Sequence, residues 1–294
     1  MIGRLTLCLL GLCGGLVAQE SGADETRVTK NVATPLTLPG AETFVYHDVA
    51  PEPMRLHVFK PKGWSATDTR PAWIHFFGGG FVNGTPLQSA GMGRNAAKLR
   101  MVGVAVDYRV KNRHGTDASK CVADARAALH WVQTHAAELG IDPARVVVSG
   151  SSAGGHLALW TAITATPWGS DPAEAPLAKP AALILISPAA DTSEVAGQRA
   201  ERFAGHGTAL SPQQHLDDMM PPVLLFHGDA DQVVPYRYAV ALDQQLRATG
   251  NDCTFITIPG GGHGLTSAEW KKRANDLMTA FLSRLKILPV EMRR

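Results

Sequence analysis

Two uninterrupted apolar runs, residues 183–186 and 223–226, place the strongest constraint on what this chain folds into. A strand with no polar face is typical of a parallel sheet that is covered on both sides. Shorter or more mixed apolar runs predict six further strands, at residues 43–46, 56–59, 73–77, 102–106, 145–149 and 254–258. The sequence therefore predicts a sheet of about eight strands.

Helical periodicity separates several of these runs. In residues 118–139 the apolar positions recur at three- and four-residue steps, and Gly140 follows as a stop signal. Further helices are predicted near residues 95–100, 236–249 and 267–285. Strands that alternate with helices predict an α/β fold with a mostly parallel sheet and helices on both faces.

Composition favours a single folded domain. The 294 residues are 45% hydrophobic and 18% charged, which supplies a sizeable core and argues against disorder. One domain is expected over residues 41–294. Strand character is absent at residues 189–220, which are interpreted as a small insertion over the functional site. The net charge of +2 comes without a long basic run, so nucleic acid is not an expected partner.

The first residues are typical of an export signal. Arg4 precedes an apolar run at residues 5–17 that is too short and too glycine-rich to span a bilayer. We expect a signal peptide at residues 1–18, a flexible lead-in at residues 19–40, and a secreted or periplasmic protein without a stable membrane span. The alternatives are a buried N-terminal helix and lipidation at Cys13.

Removal of such a signal leaves two cysteines, Cys121 and Cys253. Two cysteines do not make a disulfide framework, and the sequence does not show whether they meet. Neither has metal-ligand spacing around it. Buried thiols without a chemical role are the default interpretation, and no metal site is predicted.

The pentapeptide Gly150-Ser151-Ser152-Ala153-Gly154 follows a predicted strand and precedes an apolar stretch, residues 156–160, that predicts a helix. A serine on a tight strand-to-helix turn holds its hydroxyl clear of the sheet, and glycines tolerate the crowded backbone of that turn. Ser152 is central and is the candidate nucleophile, with Ser151 as a supporting residue. The alternative is an ordinary Gly-Ser turn, because short motifs also arise by chance.

Glycines also follow the strand at residues 73–77. Consecutive glycines, residues 78–80, let backbone N–H groups face a ligand without obstruction by side chains. Such donors stabilise the oxyanion that forms when an acyl carbonyl is attacked, and the Ala153 N–H at a helix start can donate to the same oxygen. The alternative is a flexible turn.

Two aspartates follow the strand at residues 223–226. A carboxylate at this edge of the sheet can hold a histidine in one tautomer and stabilise its charged form. Asp231 is favoured because it lies further into the loop, just before the Val-Val-Pro entry to the next helix. Asp229 is the alternative, or a turn residue that bonds to the backbone.

The candidate base is His263, on a glycine-rich loop beyond the strand at residues 254–258. The chain order serine, acid, histidine is the order expected of an α/β-hydrolase. His227 ends a strand and is interpreted as a loop anchor. Other histidines lie inside predicted elements and are interpreted as structural: His75, His130 and His156.

Taken together, these stretches resemble the α/β-hydrolases, and in particular secreted esterases related to hormone-sensitive lipase and to bacterial feruloyl and acetylxylan esterases. The resemblance covers residues 42–285. The stretches that carry it are residues 74–81, 106–109, 124–126, 142–156, 227–235 and 262–265.

The resemblance implies a Ser152, Asp231 and His263 triad, an oxyanion hole of the Gly79, Gly80 and Ala153 N–H groups, and no cofactor. Two positions depart from the family pattern. Phe77 stands where many relatives have histidine, and Ser151 stands where relatives of hormone-sensitive lipase often carry aspartate.

The predicted activity is hydrolysis of a carboxylic ester through an acyl-enzyme. The resemblance further implies an accessible small-molecule or polysaccharide-linked ester, such as an acetyl or feruloyl group. Candidate pocket residues are Phe81, Asn83, Trp160, Asp191 and Tyr236. There are two alternatives, a prolyl-oligopeptidase-type peptidase and a non-catalytic binding protein. Such peptidases usually carry a large extra domain, for which this chain has no room. The oligomeric state stays open.

Overall fold

The computed structural model of the protein describes residues 34–170, 175–176, 178–194, 197–288 and 292. The predicted signal peptide and the lead-in up to residue 33 lie outside the described residues. The strands within them are β1 (Glu42–His47), β2 (Met54–Phe59), β3 (Arg70–Phe76), β4 (Val102–Val106), β5 (Ile141–Ser151), β6 (Ala182–Ile186), β7 (Val223–Gly228) and β8 (Cys253–Ile258).

These strands form one sheet in the order β1-β2-β4-β3-β5-β6-β7-β8. β2 pairs antiparallel with both β1 and β4, and every pair from β4 to β8 is parallel. The predicted mostly parallel eight-stranded sheet is confirmed. Because β3, β5, β6, β7 and β8 run in the same direction, their carboxyl ends lie along one edge, where open α/β sheets bind their ligands.

Helices cover both faces of the sheet. They are α1 (Ala90–Lys98), α2 (Lys111–His114), α3 (Ala118–Thr134), α4 (Ala153–Trp160), α5 (Tyr236–Ala248) and α6 (Ala268–Arg284). α3 ends five residues earlier than its periodicity predicts. At this end the His135 ring stacks on Trp131, and its Nδ1 lies 2.9 Å from the Trp131 carbonyl oxygen.

The core explains why β6 and β7 read as continuous apolar runs. Every residue of both strands is buried. One apolar cluster joins the sheet to α3, α4 and α5 through residues such as Leu129, Leu157 and Leu242. A second cluster on the opposite face contains Ala96 of α1 and Met278 of α6.

The described end of the predicted lead-in is packed against this domain. Leu38 is buried and belongs to a small apolar cluster with Phe59, Ala90 and Ala105. The Thr34 hydroxyl accepts a hydrogen bond from Arg113 at 2.5 Å. The last residues of the predicted lead-in therefore make both apolar and polar contacts with the domain.

The insertion between β6 and β7 has no strand among its described residues, in keeping with its sequence. It contains two 3₁₀ segments, Gly197–Phe203 and Pro212–Gln214. Of the helices that the structure describes, none combines the length and apolarity needed to cross a bilayer.

Candidate active site

Ser152 occupies the sharp turn between β5 and α4. Its backbone has φ 56° and ψ −119°, a strained region for a residue other than glycine. The turn brings Gly154 so close to the strand that a Cβ on Gly150 would lie 2.0 Å from the Gly154 carbonyl oxygen. The glycines of the pentapeptide are therefore required by packing, and the turn has the strand–turn–helix geometry of a nucleophile elbow.

A buried arginine fastens the helix that begins at this turn. Arg126 of α3 donates to the carbonyl oxygens of Trp160 at 2.9 Å and Ile163 at 2.7 Å, at the C-terminal end of α4. These carbonyls have no partner inside the helix, and a cation complements the negative end of the helix dipole. The N-terminal end of α4, with the Ala153 N–H, is thereby held at the sheet edge.

The Gly78–Gly80 loop lies directly against the elbow. A Cβ on Gly78 would lie 3.0 Å from the Ser151 carbonyl oxygen and 3.3 Å from Ser152 Cβ. Gly79 has φ 141°, and its carbonyl oxygen accepts from the N–H groups of Val82 and Asn83. Within the described part of the chain, the N–H groups of Gly79 and Gly80 donate to no protein group. Both amides are thus available to a ligand beside Ser152.

Phe77, at the position where many relatives carry histidine, packs against another aromatic ring. Its ring stacks on Tyr108 with 4.0 Å between ring centroids, and the Tyr108 hydroxyl donates to the Phe77 carbonyl oxygen at 2.7 Å. Gly84 leaves room for the same ring, since a Cβ there would lie 2.5 Å from it. The glycine loop is therefore supported by stacked aromatic rings.

Asp231 and His263 form a hydrogen-bonded pair at the ends of β7 and β8. Asp231 Oδ2 lies 2.8 Å from His263 Nδ1. The other carboxylate oxygen, Oδ1, accepts from the N–H groups of Val233 at 2.8 Å and Val234 at 3.0 Å. The Asp231 carboxylate is fully buried, whereas the His263 ring is 26% exposed. The pair can therefore orient a histidine whose outer face is accessible.

The environment of Asp231 keeps its carboxylate charged. Burial by itself raises the pKa of Asp231, but the hydrogen bonds from His263, Val234 and Val233 outweigh burial and leave the pKa below its ordinary value. A charged carboxylate accepts the Nδ1–H of His263, which leaves the His263 Nε2 lone pair to take a proton.

Asp229, the competing acid, has another role. Its Oδ1 accepts the Gly260 N–H at 2.7 Å, and its own N–H donates to the Ile258 carbonyl oxygen at 3.3 Å. These bonds tie the β7 loop to the glycine-rich loop before His263. Asp229 is thus a turn residue, as in the alternative that the sequence allows.

The serine turn and the histidine loop are connected through the end of β6. The Ser152 N–H donates to the Ile186 carbonyl oxygen at 2.9 Å, and the next residue, Ser187, accepts the Gly264 N–H on its Oγ at 3.1 Å. Among the described residues, Ser152 Oγ and His263 Nε2 share no hydrogen bond. Such catalytic contacts are often long until substrate binds.

The candidate pocket residues occupy different environments. Trp160 has no exposed surface, and its Nε1 donates to the Leu210 carbonyl oxygen at 2.8 Å, which ties the insertion to the core. Asp191 Oδ1 accepts from the Ser193 N–H and the Ser211 hydroxyl, as a turn residue does. The structure thus gives Trp160 and Asp191 packing and turn contacts.

The other three candidates lie nearer to the loops of the site. Asn83 Oδ1 accepts from Asn112 Nδ2 at 2.7 Å, and its backbone closes the turn at Gly79. The Tyr236 hydroxyl lies 2.6 Å from Thr257 Oγ1. Phe81 follows Gly80 directly, has φ 66° and is buried.

Phe81 belongs to an aromatic cluster beside the glycine loop. Its ring meets His156 of α4 edge-on at 5.0 Å and Phe203 of the insertion at 5.3 Å. Arg202 lies on the same side, since a Cβ on Gly80 would lie 2.7 Å from its Nη1. The Gly197–Phe203 segment therefore packs against the candidate oxyanion loop, as expected of an insertion near the site.

Groups for a metal or a disulfide are not assembled in the described residues. No three His, Cys, Asp or Glu side chains among them cluster as metal ligands. Cys121 and Cys253 are both buried and unbonded. Burial raises the pKa of the Cys253 thiol well above its ordinary value, so it is not a thiolate near neutral pH.

Family models match most of this framework. Residues 73–232 match the model described as the alpha/beta hydrolase fold, and residues 191–280 match the model described as Phospholipase/Carboxylesterase. The first match contains the glycine loop, the Ser152 elbow and Asp231.

Solved structures agree over a longer range. Esterase 2 of Thermogutta terrifontis in its apo form superposes with a TM-score of 0.79 at 35% identity, over 85% of this chain and 97% of that one. The butyrate-bound form of the same esterase has a TM-score of 0.78 at 33% identity.

Curated relatives match in part. Esterase LipC of Mycobacterium tuberculosis is 28% identical over 68% of this chain and 55% of its own. Carboxylesterase NlhH of the same species is 36% identical over 36% of this chain and 33% of its own. The chain thus spans about half or less of the length of the curated relatives it matches. The family match over residues 73–232, with the topology and the serine elbow found here, shows that the chain belongs to the α/β-hydrolase family.

Proposed function

We propose that the protein is a serine esterase that hydrolyses carboxylic esters with short or aromatic acyl groups. Ser152 attacks the acyl carbonyl, and His263 takes the serine proton and later delivers it to the leaving alcohol. Asp231 holds His263 in the required tautomer. The N–H groups of Gly79, Gly80 and Ala153 receive the developing oxyanion, and water then releases the acyl group by the same route.

One observation carries this proposal: the 2.8 Å bond between Asp231 Oδ2 and His263 Nδ1, at the sheet edge where the strained Ser152 turn lies. A carboxylate and a histidine of this geometry leave one ring nitrogen to act as a base. The serine turn is the remaining part that such a site needs, and the glycine loop with two available amides is adjacent to it.

The named relatives support the same chemistry. They are an esterase, a carboxylesterase and a structurally similar esterase. Thermogutta esterase 2 has been solved with propionate and with butyrate bound, and also after phosphorylation by paraoxon. Propionate and butyrate are products of short acyl esters, and paraoxon is a phosphate ester that phosphorylates a nucleophile. We therefore extend short-chain esters and organophosphorus reactivity to this chain.

The acyl group could also be aromatic, because Phe81 and Phe203 present rings beside the glycine loop. Acetyl and feruloyl groups on plant polysaccharide are the substrates implied by the resemblance in the sequence. We further propose that the protein is exported, on the basis of the charged start and apolar run at residues 1–18. Cell fractionation with antibody detection tests export independently of activity.

A fluorophosphonate probe tests the reaction class. Covalent labelling of the wild type that is lost in Ser152→Ala is expected, and absence of labelling in a folded wild type would refute a serine hydrolase. The substrate class is then tested on p-nitrophenyl acetate to decanoate, acetylated xylan, methyl ferulate and a proline-containing peptide. Faster cleavage of the peptide than of any ester would favour the peptidase alternative.

A further inference from the structure

The Asp231 carboxylate is contacted by two imidazole rings, and the proposed reaction uses one of them. His263 Nδ1 lies 2.8 Å from Asp231 Oδ2, and His227 Nε2 lies 3.1 Å from the same oxygen. His227 stands at the end of β7 and its side chain has no exposed surface. Burying a polar group costs free energy unless the group is hydrogen-bonded, so the contacts of the buried His227 ring are expected to matter for the site.

The neighbours of His227 determine which of its nitrogens carries the proton. Its Nε2 lies 3.0 Å from the Val234 carbonyl oxygen, which can only accept a hydrogen bond. Nε2 therefore carries the hydrogen and donates it to Val234, and the same nitrogen lies 3.1 Å from Asp231 Oδ2. His227 Nδ1 is buried and has no partner among the described residues. Burial lowers the pKa of His227, so the ring is a neutral donor near neutral pH.

These contacts form a closed ring of polar groups around the carboxylate. Val234 donates its N–H to Asp231 Oδ1 at 3.0 Å, and its carbonyl oxygen accepts from His227. His227 in turn faces Asp231 Oδ2. The backbone fixes Oδ1, and His227 is the only donor besides His263 that the described contacts place on Oδ2. Rotation of an aspartate carboxylate is otherwise soft, because its terminal torsion has broad wells.

We propose that His227 is a positioning residue of the hydrolytic site, whose Nε2–H holds the Asp231 carboxylate in the orientation that aligns His263 with Ser152. This inference rests on the proposed function and adds a residue to it. His227 touches neither substrate nor the reacting atoms. It acts through Asp231. A residue that only anchored the loop could do so by its bond to Val234 and would not need to lie against Asp231.

The groups that face His227 are few and defined. Asp231 and His263 lie on the β7 and β8 loops, and the Tyr236 ring of α5 meets His227 edge-on at 5.9 Å. The Tyr236 hydroxyl is bonded to Thr257 and is directed to β8. Loss of the His227 N–H should therefore mainly change the geometry of the Asp231–His263 pair.

Two substitutions separate positioning from simple packing. In His227→Gln the amide Nε2 reaches the place of the imidazole Nε2 and keeps an N–H donor without a titratable group. In His227→Leu the volume is similar and the donor is lost. His227→Asn is a matched control whose amide is too short to reach Oδ2.

We expect His227→Leu and His227→Asn to lower kcat on p-nitrophenyl acetate on the order of ten- to a hundredfold, with KM little changed, because one hydrogen bond to a charged group is lost. The acid limb of kcat/KM should move to higher pH. The reason is that an Asp231 carboxylate with one donor fewer interacts more strongly with the His263 imidazolium, which is the form that cannot act as a base. His227→Gln should restore both the rate and the pH profile.

The inference is overturned if His227→Gln and His227→Leu lose the same activity, or if all three variants keep the wild-type rate and pH profile. If His227→Leu does not fold, the comparison of Gln with Asn decides. A double-mutant cycle adds a direct check: in the Asp231→Asn background, His227→Leu should cost little more, and an equal cost in both backgrounds would contradict action through Asp231. Wild-type rates in Ser152→Ala or Asp231→Asn would instead refute the proposed function.

Discussion

Ser187 Oγ accepts the backbone N–H of Gly264 at 3.1 Å, one residue after His263. Ser187 itself is buried, has φ 44° and follows the residue whose carbonyl oxygen holds the Ser152 N–H. A single residue at the end of β6 thus joins the loop of the candidate base to the turn of the candidate nucleophile. The relative position of serine and histidine is set by the sheet, because each loop is tied to the same strand end.

Replacement of the nucleophile should separate folding from catalysis. Ser152→Ala removes one oxygen from the strained turn, so we expect an intact fold and complete loss of the acylation burst on p-nitrophenyl acetate. The matched control is Ser151→Ala, which should retain substantial turnover. Stopped-flow measurement of the burst, with circular dichroism for the fold, checks the pair, and near-wild-type rates in Ser152→Ala would show that the nucleophile lies elsewhere.

The two aspartates of the β7 loop should differ sharply. Asp231→Asn keeps the shape but presents His263 with an amide and disturbs its tautomer, which we expect to cost on the order of 10⁴-fold in kcat. Asp229→Asn keeps an oxygen for the Gly260 N–H and should cost about tenfold or less. Steady-state turnover of both variants decides, and the reverse ranking would move the catalytic role to Asp229.

Gly79 should be irreplaceable in the glycine loop. A methyl group there would lie 2.0 Å from the Asn83 carbonyl oxygen, so Gly79→Ala must displace the loop and its amides. We expect a loss in kcat of roughly 10²- to 10³-fold, as for removal of an oxyanion donor. Gly40→Ala is the control, because Gly40 also has positive φ but no atom within 4 Å of the added methyl. Equal activity in the two variants would count against an oxyanion role for this loop.

Acyl preference should follow from the short insertion. Added methylenes stabilise a complex by about 0.8 kcal/mol each only when they are enclosed, and the insertion offers short 3₁₀ segments rather than a broad apolar cover. We expect kcat/KM to fall beyond roughly butyrate or hexanoate, where further methylenes gain little burial.

Phe203→Ala, which empties space beside Phe81, should move that maximum to longer chains. Met219→Ala, at an exposed site of the same insertion, should leave it in place. The p-nitrophenyl ester series measures both variants. A wild-type profile that rises steadily to decanoate would contradict the prediction.

Buried histidines should make the fold sensitive to acid. Burial lowers the pKa of His75 and of His156 from 6.5 to about 4. The unfolded chain therefore binds these protons first as the pH falls. The stability that these groups contribute is complete above about pH 6.5 and declines toward pH 4, by up to about 1.4 kcal/mol per pH unit for each group.

His75→Asn keeps a polar atom within reach of Ser149 and should flatten this decline when urea unfolding is followed between about pH 7 and 4.5. His135→Asn, at the C-terminal end of α3, should leave the decline unchanged. An unaltered slope in His75→Asn would show that another group dominates the acid response.

The sheet and the serine turn could be predicted from the sequence because their signals are local. Continuous or mixed apolar runs located all eight strands, and β4 was predicted with its observed bounds. Trp160 has no exposed surface because α4 is buried on every side, and this helix has no polar face from which its orientation could be predicted. The Phe77–Tyr108 stack, the Ser187–Gly264 bond and the His227–Asp231 contact had no local signal. The first two join residues 31 and 77 positions apart in the chain.

The contact between Gly150 and Gly154 has a consequence for how such chains diverge. A side chain at Gly150 would collide with the Gly154 backbone, and one at Gly154 with the Phe76 carbonyl oxygen, whatever residue stands at position 152. Backbone packing constrains the glycines, whereas the reaction constrains the serine, so the serine can change while the glycines stay. A descendant that has lost hydrolytic activity would still have glycine at both positions. Active and inactive chains would then differ only in the serine hydroxyl and in the histidine that accepts its proton.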